Sequence, residues 1–356
     1  MKATFVTPSP RHRAAMAERE YESAMAREIG EAPIAAEHLL AREDAPARVA
    51  ERILSFAPRM AVVCGRGSSG HVGVYLRYLI EARLGILVSA AAPSVMTAYE
   101  RKPDLREALF IVISQSGRSP DLVAPTKIAR FLGALTLAIV NDELSPVAAE
   151  SELVIPIGAG PEHAVAATKT VVLSMIAGAQ LVAKLTRDKV LNGALQCMPA
   201  RLHQALACDW IAWTDSLVTA PAAFVTARGY GLGSAREIAL KLTETLRIPA
   251  LGYSAAELRH GPRAAISRAT PVLALRQNDQ AASAVDDLVR DLCAAKDAVF
   301  VAGGARGTLP WIGDDHPICD PVVMLIPAYR AVEAATRRKG FDPDRPPHLQ
   351  KVTETL

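Results

Sequence analysis

The sequence predicts an α/β protein of two tandem domains, each a parallel sheet doubly wound with helices. Its 356 residues exceed one ordinary core. Short apolar runs such as Leu109–Ile113 alternate with helical patterns, which is typical of parallel strands covered by helices on both faces. We expect a tail and a helix over 1–45, domains over 46–207 and 208–340, and a C-terminal tail over 341–356.

The first half is predicted to alternate strands and helices after a loose tail of about 15 residues. Its predicted strands are Met60–Cys64, Ile86–Ala90, Leu109–Ile113, Leu135–Val140 and Leu153–Ile155. Its predicted helices are Tyr21–Leu40 (interrupted at Ala32–Pro33), His71–Arg83, Pro120–Phe131, Thr168–Leu185 and Leu191–Ala207.

The second half is predicted to repeat this order from Asp209 onward. Its predicted strands are Ala222–Ala227, Pro249–Gly252, Pro271–Leu275 and Ala298–Ala302, and its predicted helices are Ser234–Arg247, capped by Ser234, and Val322–Lys339. In each half, a strand is followed by a loop containing arginine and glycine and then by a helix. The matching segments are Val62–Ser69 and Val225–Gly231. An internal duplication is the simplest account.

Composition and charge exclude several classes of function. A net charge of +3 from scattered basic residues, with 5% aromatics, argues against a nucleic-acid partner. The five cysteines lie far apart without metal-ligand spacing, which predicts neither a disulfide framework nor a zinc site and favours the cytoplasm. The sequence has no signal-peptide core and no apolar run of about 20 residues, so we expect no membrane partner.

The loop Ser114–Ser119 carries the strongest chemical signal. It supplies three hydroxyls, an amide and a glycine between a buried strand and a helix that begins at Pro120. Free backbone N–H groups at a helix start, joined by hydroxyl donors, suit the oxygens of a phosphate. This loop predicts a phosphate monoester site, with an ordinary polar turn as the alternative.

A dinucleotide cofactor is not expected. Gly65, Gly67 and Gly70 match the Gly-x-Gly-x-x-Gly pattern of dinucleotide-binding loops only loosely. The segment Arg83–Ala92 has no acidic residue that could bind a ribose. In parallel sheets a ligand lies at the carboxyl ends of the strands. Three polar loops, at 64–69, 114–119 and 162–169, follow predicted strands.

Ionisable groups come from the second half. Lys241 and Glu244 lie three residues apart on one predicted helix face, and His260 precedes a Gly-Pro turn. A solvated ion pair and a capping or core histidine are the alternatives. Aldose/ketose interconversion needs a group such as histidine to move protons during ring opening, and a carboxylate held next to C1 and C2 for enolisation. His260 and Glu244 could supply these two groups.

Five ordered segments carry a family resemblance. They are Ala26–Pro33, Ser114–Gly117, Ala166–Lys169, Ala239–Glu244 and Glu257–Pro262, followed by Lys351 near the C-terminus. On these segments the chain resembles the sugar-isomerase (SIS) family, especially the isomerase half of glucosamine-6-phosphate synthase and its stand-alone deaminase relatives. The resemblance implies two SIS-type domains.

The resemblance also implies roles for individual residues. Ser114, Gln115, Ser116 and Ser119 would bind the sugar phosphate. Arg66, Gly67 and Ser68 would close the site, with Val165 and Ala167 beside the sugar and Lys241 next to the base. Glu244 would move the proton between two carbons, His260 would open the ring from the partner subunit of a homodimer, and Lys351 would reach over the open-chain sugar. The resemblance implies no metal and no redox cofactor.

The resemblance favours a phosphosugar isomerase or deaminase, with glucosamine 6-phosphate as the expected substrate. We expect no glutamine-hydrolysing domain, because Met1–Thr4 offers no cysteine nucleophile, and Ala167 replaces the hydroxyl residue of the synthase. The alternatives are another substrate, such as galactosamine 6-phosphate or a glycated amino-acid phosphate, or a synthase-like isomerase without its glutaminase. A sugar-phosphate sensor is the alternative outside catalysis.

Overall fold

The computed structural model describes residues 22–313 and 315–351, and its strands form two all-parallel sheets. The five-stranded sheet has the order β2-β1-β3-β4-β5, and the four-stranded sheet has the order β7-β6-β8-β9. The strands are β1 (Met60–Cys64), β2 (Leu87–Ala90), β3 (Ala108–Ser114), β4 (Leu135–Val140), β5 (Leu153–Pro156), β6 (Ala223–Ala227), β7 (Ala250–Ser254), β8 (Val272–Leu275) and β9 (Val299–Ala302). The predicted fold class is confirmed.

Helices connect successive strands in both sheets. In the first half they are α1 (Ala24–Leu40), α2 (Asp44–Phe56), α3 (Gly67–Leu84), α4 (Pro93–Thr97), α5 (Pro120–Phe131), α6 (Pro146–Glu150), α7 (Lys169–Thr186) and α8 (Lys189–Ala205). In the second half they are α9 (Ile211–Thr219), α10 (Leu232–Lys241), α11 (Ala255–Arg259), α12 (Ala282–Ala294), α13 (Asp320–Val323) and α14 (Leu325–Arg338). A π-helical turn, Leu242–Leu246, continues α10, and 3₁₀ turns cover Gly229–Gly231 and Pro262–Ala265.

Several local predictions are wrong. Helix α1 runs through Pro33 without the predicted interruption, because packing against α7 and α8 compensates for the missing N–H. Ser234 is not a helix cap: it lies buried inside α10, which begins at Leu232 after a 3₁₀ turn. Helix α3 begins at Gly67 rather than His71. The tail predicted for about the first 15 residues lies outside the described part of the chain.

The core is shared between the two halves. Every residue of β3 and β4 is buried, as expected for parallel strands covered on both faces. One apolar cluster contains residues of both sheets, for example Leu109 and Leu273. Among the described residues, α7 is the one helix long and apolar enough to span a membrane, and 89% of it is buried inside the protein, as in a core helix.

The two halves meet where α3 packs antiparallel against α10. A Cβ atom on Gly233 would lie 2.8 Å from the backbone oxygen of His71 and 2.9 Å from Cβ of Tyr75. Two helix backbones can approach this closely only where one lacks a side chain. This contact fixes the residues that follow Gly233 against the start of α3.

Gly233→Ala is expected to destabilise the protein by about 1–3 kcal/mol, because the new methyl group overlaps the backbone of α3. Gly193→Ala is the matched control: it lies on an exposed turn of α8 with nothing within 4 Å of a new Cβ. It should stabilise the helix by about 0.5–1 kcal/mol. Denaturant unfolding measures both, and equal changes in the two variants would contradict the close approach of α3 and α10.

Candidate active site

Three loops meet at the carboxyl edge of the five-stranded sheet, directly after β1, β3 and β5. Strand order reverses between β1 and β3, the point at which open parallel sheets bind their ligands. The loops are 64–69, 114–119 and 157–168, which contain the predicted binding residues of the first half.

The serine loop is shaped for close approach by an anion. The Oγ atom of Ser114 accepts a hydrogen bond from the backbone N–H of Gly117 at 3.0 Å. Gly117 has φ +63°, and a Cβ atom there would lie 2.0 Å from Oγ of Ser145, so only glycine fits. Pro120 begins α5, and the side chain of Ser119 makes no capping bond to that helix. Pro120 has no N–H, and the N–H groups of Leu122 and Val123 donate to the backbone oxygen of Ser119. The first turn of α5 therefore leaves the backbone N–H of Asp121 for a phosphate oxygen.

Two arginines border this loop. The Nε atom of Arg66 donates to Asp121 Oδ2 at 2.7 Å, which ties the first loop to the first turn of α5. Arg118 binds Asp142 at 2.7 Å on the outer side. Both guanidinium groups are more than half exposed, so each can also face an anionic ligand. Arg66 lies where we predicted it, with Gly67 and Ser68 opening α3 beside it.

The end of α10 brings a chain of charged groups to the same edge. Lys241 is completely buried and binds Glu237 at 3.4 Å and Glu244 at shorter range. Glu237 is also completely buried, and its carboxylate accepts from Ser68 at 3.1 Å and meets Nδ1 of His71 at 3.1 Å. The interpretation of Lys241 and Glu244 as a solvated helix pair is wrong, since α3 and α14 cover them.

The two buried members of this chain stabilise each other's charges. Burial disfavours the charged form of Lys241, yet the carboxylates of Glu237 and Glu244 raise its pKa above the ordinary lysine value. Burial likewise opposes ionisation of Glu237, but Lys241 and His71 lower the pKa of that carboxyl below its usual value. Glu244 alone of the three is partly exposed, with 21% of its side chain accessible. Glu244 is therefore the one carboxylate of this chain of charged groups that a ligand can reach, and the buried pair of Lys241 and Glu237 supports it.

The loop after β5 is held by two glutamates. Glu28 of α1 accepts from the backbone N–H groups of His163 and Ala164. Glu162 accepts from the backbone N–H and the hydroxyl of Thr170 at 3.2 and 2.8 Å. Val165 and Ala167 lie half-buried within the loop that these bonds fix.

Lys351 reaches this loop from the other end of the chain. Its Nζ atom donates to Glu162 at 3.0 Å and to the backbone oxygen of Ala164 at 2.5 Å. Residues 352–356 lie outside the described residues. Burial and the charges of Glu237, Glu162 and Glu244 all raise the pKa of the Tyr329 hydroxyl, which bonds to Glu237 at 3.3 Å. The charge of Glu162, which Lys351 binds, and the charge of Glu244 therefore both act on Tyr329.

His260 lies elsewhere in the same chain. It is exposed at the end of α11, which follows β7 and thus belongs to the carboxyl edge of the four-stranded sheet. Helix α10 starts at that edge and runs away from it, which places Glu244 about 18 Å further along the helix. The structure thus brings together the first-half loops, Lys241, Glu244 and Lys351, and leaves His260 apart from them within one chain.

The SIS domain model matches residues 55–184 and 216–302, together more than half of the chain and covering both sheets. The chain belongs to the SIS family. The resemblance predicted from the five sequence segments is thereby confirmed. Two of those segments contact each other in this SIS protein, since Glu31 binds the buried Lys169 at 2.5 Å.

Curated relatives are glutamine–fructose-6-phosphate aminotransferases (isomerizing). The protein of Methanothermobacter thermautotrophicus is 32% identical over 349 residues, which cover 93% of this chain and 57% of the relative. That of Symbiobacterium thermophilum is 30% identical, covering 83% of this chain and 51% of the relative. The chain spans about half the length of the curated relatives it matches.

Solved structures match over nearly all of their length. A protein of Silicibacter pomeroyi DSS-3, named as a putative phosphosugar isomerase, is 38% identical with TM-score 0.87, covering 91% of this chain and 100% of that one. Glucosamine-6-phosphate deaminase of Thermotoga maritima is 20% identical with TM-score 0.77, covering 94% and 100% of the two chains. The second likeness concerns the fold alone.

Three site residues were not predicted from the sequence: Glu237, His71 and Tyr329. Glu237 lies four residues before Lys241, and that helical spacing could have identified it. His71 and Tyr329 lie 166 and 92 residues from Glu237, so no local pattern connects them. In the described chain, no three or more His, Cys, Asp or Glu side chains form a group that could hold a metal ion.

Lys241→Met is expected to cost about 3–5 kcal/mol of stability, because it leaves the buried carboxylate of Glu237 without its cation. In the wild type, the lowered pKa of Glu237 contributes stability above the ordinary glutamate pKa, and this is lost as pH falls through the lowered value. In the Lys241→Met variant, burial instead raises the pKa of Glu237. The stability that the variant loses relative to wild type is therefore smaller at pH 5 than at pH 8.

Lys184→Met is the matched control, because Lys184 binds Glu43 at 3.1 Å in a surface ion pair. It should change stability by less than about 1 kcal/mol at both pH values. Urea unfolding at pH 5 and pH 8 measures both variants. A pH-independent deficit for Lys241→Met would contradict the stated role of the buried pair.

Proposed function

We propose that this SIS protein is an aldose/ketose isomerase that acts on an amino-sugar phosphate. The proposal is supported by the ionic chain that ends at the partly exposed Glu244, because Glu237 of that chain bonds to Ser68 at the start of α3, on the sheet edge that also carries the serine loop. A carboxylate held in place beside a phosphate site is what proton transfer between two sugar carbons requires. The related aminotransferases, named for fructose 6-phosphate, and the 38% identical structure, named as a phosphosugar isomerase, support the same substrate class.

The reaction we propose converts glucosamine 6-phosphate and water to fructose 6-phosphate and ammonia. The serine loop holds the phosphate, and Glu244 removes the proton from C2 of the open-chain aldehyde, which forms an enolamine. Return of that proton to C1 leaves an imine at C2, and water hydrolyses the imine to the ketone and ammonia. Lys351 balances negative charge on the sugar oxygens, and no step needs a metal or redox cofactor.

Ring opening is assigned to His260 in the partner subunit of a homodimer. The separation of His260 from Glu244 within one chain supports this proposal, because the two groups lie at different sheet edges. A second subunit can bring its own exposed His260 to the site of the first. The partner subunit therefore supplies His260, the one predicted catalytic residue that lies away from Glu244 within a single chain.

Glu244→Gln is expected to lower ammonia release from glucosamine 6-phosphate by about 10²–10⁴-fold, because the amide cannot accept the C2 proton. Glu51→Gln, on the exposed face of α2, serves as the control and should leave the rate unchanged. Ammonia and ketose assays across hexosamine and hexose 6-phosphates measure the rates and identify the substrate. Equal rates in wild type and Glu244→Gln would overturn the role of Glu244, and binding without turnover would favour the sensor.

A mixing experiment tests the partner's histidine. Glu244→Gln and His260→Asn homodimers should each be inactive, whereas their mixture after subunit exchange should recover about a quarter of the wild-type sites. This recovery arises because one site of each heterodimer combines an intact Glu244 with the partner subunit's intact His260. No recovery after confirmed exchange would contradict catalysis across the interface.

A further inference from the structure

His71 lies near the start of α3, at the sheet edge to which the proposed function assigns the sugar. It lies one turn into α3, on the same helix face as Ser68 and at the carboxyl edge of the five-stranded sheet. Its Nδ1 atom meets Glu237 Oε2 at 3.1 Å, and 23% of its side chain is exposed. A buried carboxylate on Nδ1 fixes the ring and directs Nε2 to other partners. Among the described residues, no hydrogen bond to Nε2 is formed.

His71 and Glu244 are the two accessible ends of one ionic chain. The chain runs from His71 through Glu237 and Lys241 to Glu244, and its two central members are completely buried. A carboxylate can accept a proton and an imidazole can donate one, so the two ends of this chain suit opposite proton transfers.

We propose that His71 is a catalytic acid of this chain, which donates a proton to the C1 carbonyl oxygen while Glu244 removes the C2 proton. This inference rests on the proposed function. The electron pair of the C2–H bond forms the C1–C2 double bond, the π pair of the carbonyl moves to O1, and O1 takes the proton from Nε2 of His71. The enolamine is thus formed neutral at O1, without a free oxyanion.

This role is distinct from that of His260. Ring opening moves a proton between the ring oxygen and the C1 hydroxyl before the C2–H bond breaks. His71 belongs to the same chain as Glu244 and is coupled to it through two buried charges. The site then contains two histidines that act in different steps. The partner subunit's His260 opens the ring, and His71 of the same chain as Glu244 acts in enolisation.

Two substitutions separate proton donation from a structural role. In His71→Asn the amide nitrogen can replace Nδ1 in the bond to Glu237, whereas in His71→Gln it can replace Nε2; neither amide donates a proton. Both variants should lower turnover of glucosamine 6-phosphate by about 10²-fold. His203→Gln, exposed in the last turn of α8, is the control and should keep the wild-type rate. Loss of turnover in His71→Gln together with full turnover in His71→Asn would overturn the inference. His71 would then serve only as a hydrogen-bond partner of Glu237.

An isotope effect identifies the affected step. With glucosamine 6-phosphate deuterated at C2, both His71 variants should show an isotope effect on kcat/KM at least as large as that of wild type, because breakage of the C2–H bond limits their rate. An isotope effect that falls toward one would assign His71 to ring opening and overturn the inference. Wild-type rates in both His71 variants, with Glu244→Gln inactive, would overturn it and leave the proposed function standing. A wild type that turns over none of the sugar phosphates would overturn the proposed function itself.

Discussion

The site depends on the buried ion pair between Lys241 and Glu237. Each group would be costly to bury alone, and they lie four residues apart on α10, so each carries the other's counter-charge into the interior. The close approach of α3 to α10 at Gly233 brings further partners to the pair. Ser68, His71 and Tyr329 bond to Glu237, while Glu244 binds Lys241. A change in the packing of these two helices therefore changes the chemistry of the site.

The chain termini complete the same structure. Asp344 accepts the backbone N–H groups of Ala24 and Met25 at 2.7 and 2.8 Å, so the C-terminal segment caps the first helix. Glu28 of that helix holds the loop at which Lys351 arrives. Residues more than 300 positions apart thus hold the helix that fixes this loop. The π-helical turn at Leu242–Leu246 carries Glu244 at the end of α10, and such turns are frequent at functional sites.

Local sequence signals predicted the elements of the fold closely where the pattern was strong. Strand β4 and helix α5 have the predicted bounds, because a continuous apolar run and a proline at the helix start leave little choice. Helix α2 was missed although Val49, Ala50 and Ile53 recur at helical spacing on its buried face. Helix α1 was predicted to break at Pro33, where packing against α7 and α8 outweighs local preference. The two-domain boundaries, the internal duplication, the homodimer and the cytoplasmic location remain predictions.

The sequence by itself determined the α/β class, the serine loop and the family, because these follow from short-range periodicity and from ordered motifs. Only the tertiary structure decided which charges are buried and which distant groups meet them. The burial of Lys241 and the contact of His71 with Glu237 depend on two helices from different halves packing together, and contacts across such separations leave no local pattern. The distance of His260 from Glu244 was equally a property of the fold, because helix direction relative to the sheet places them at different edges.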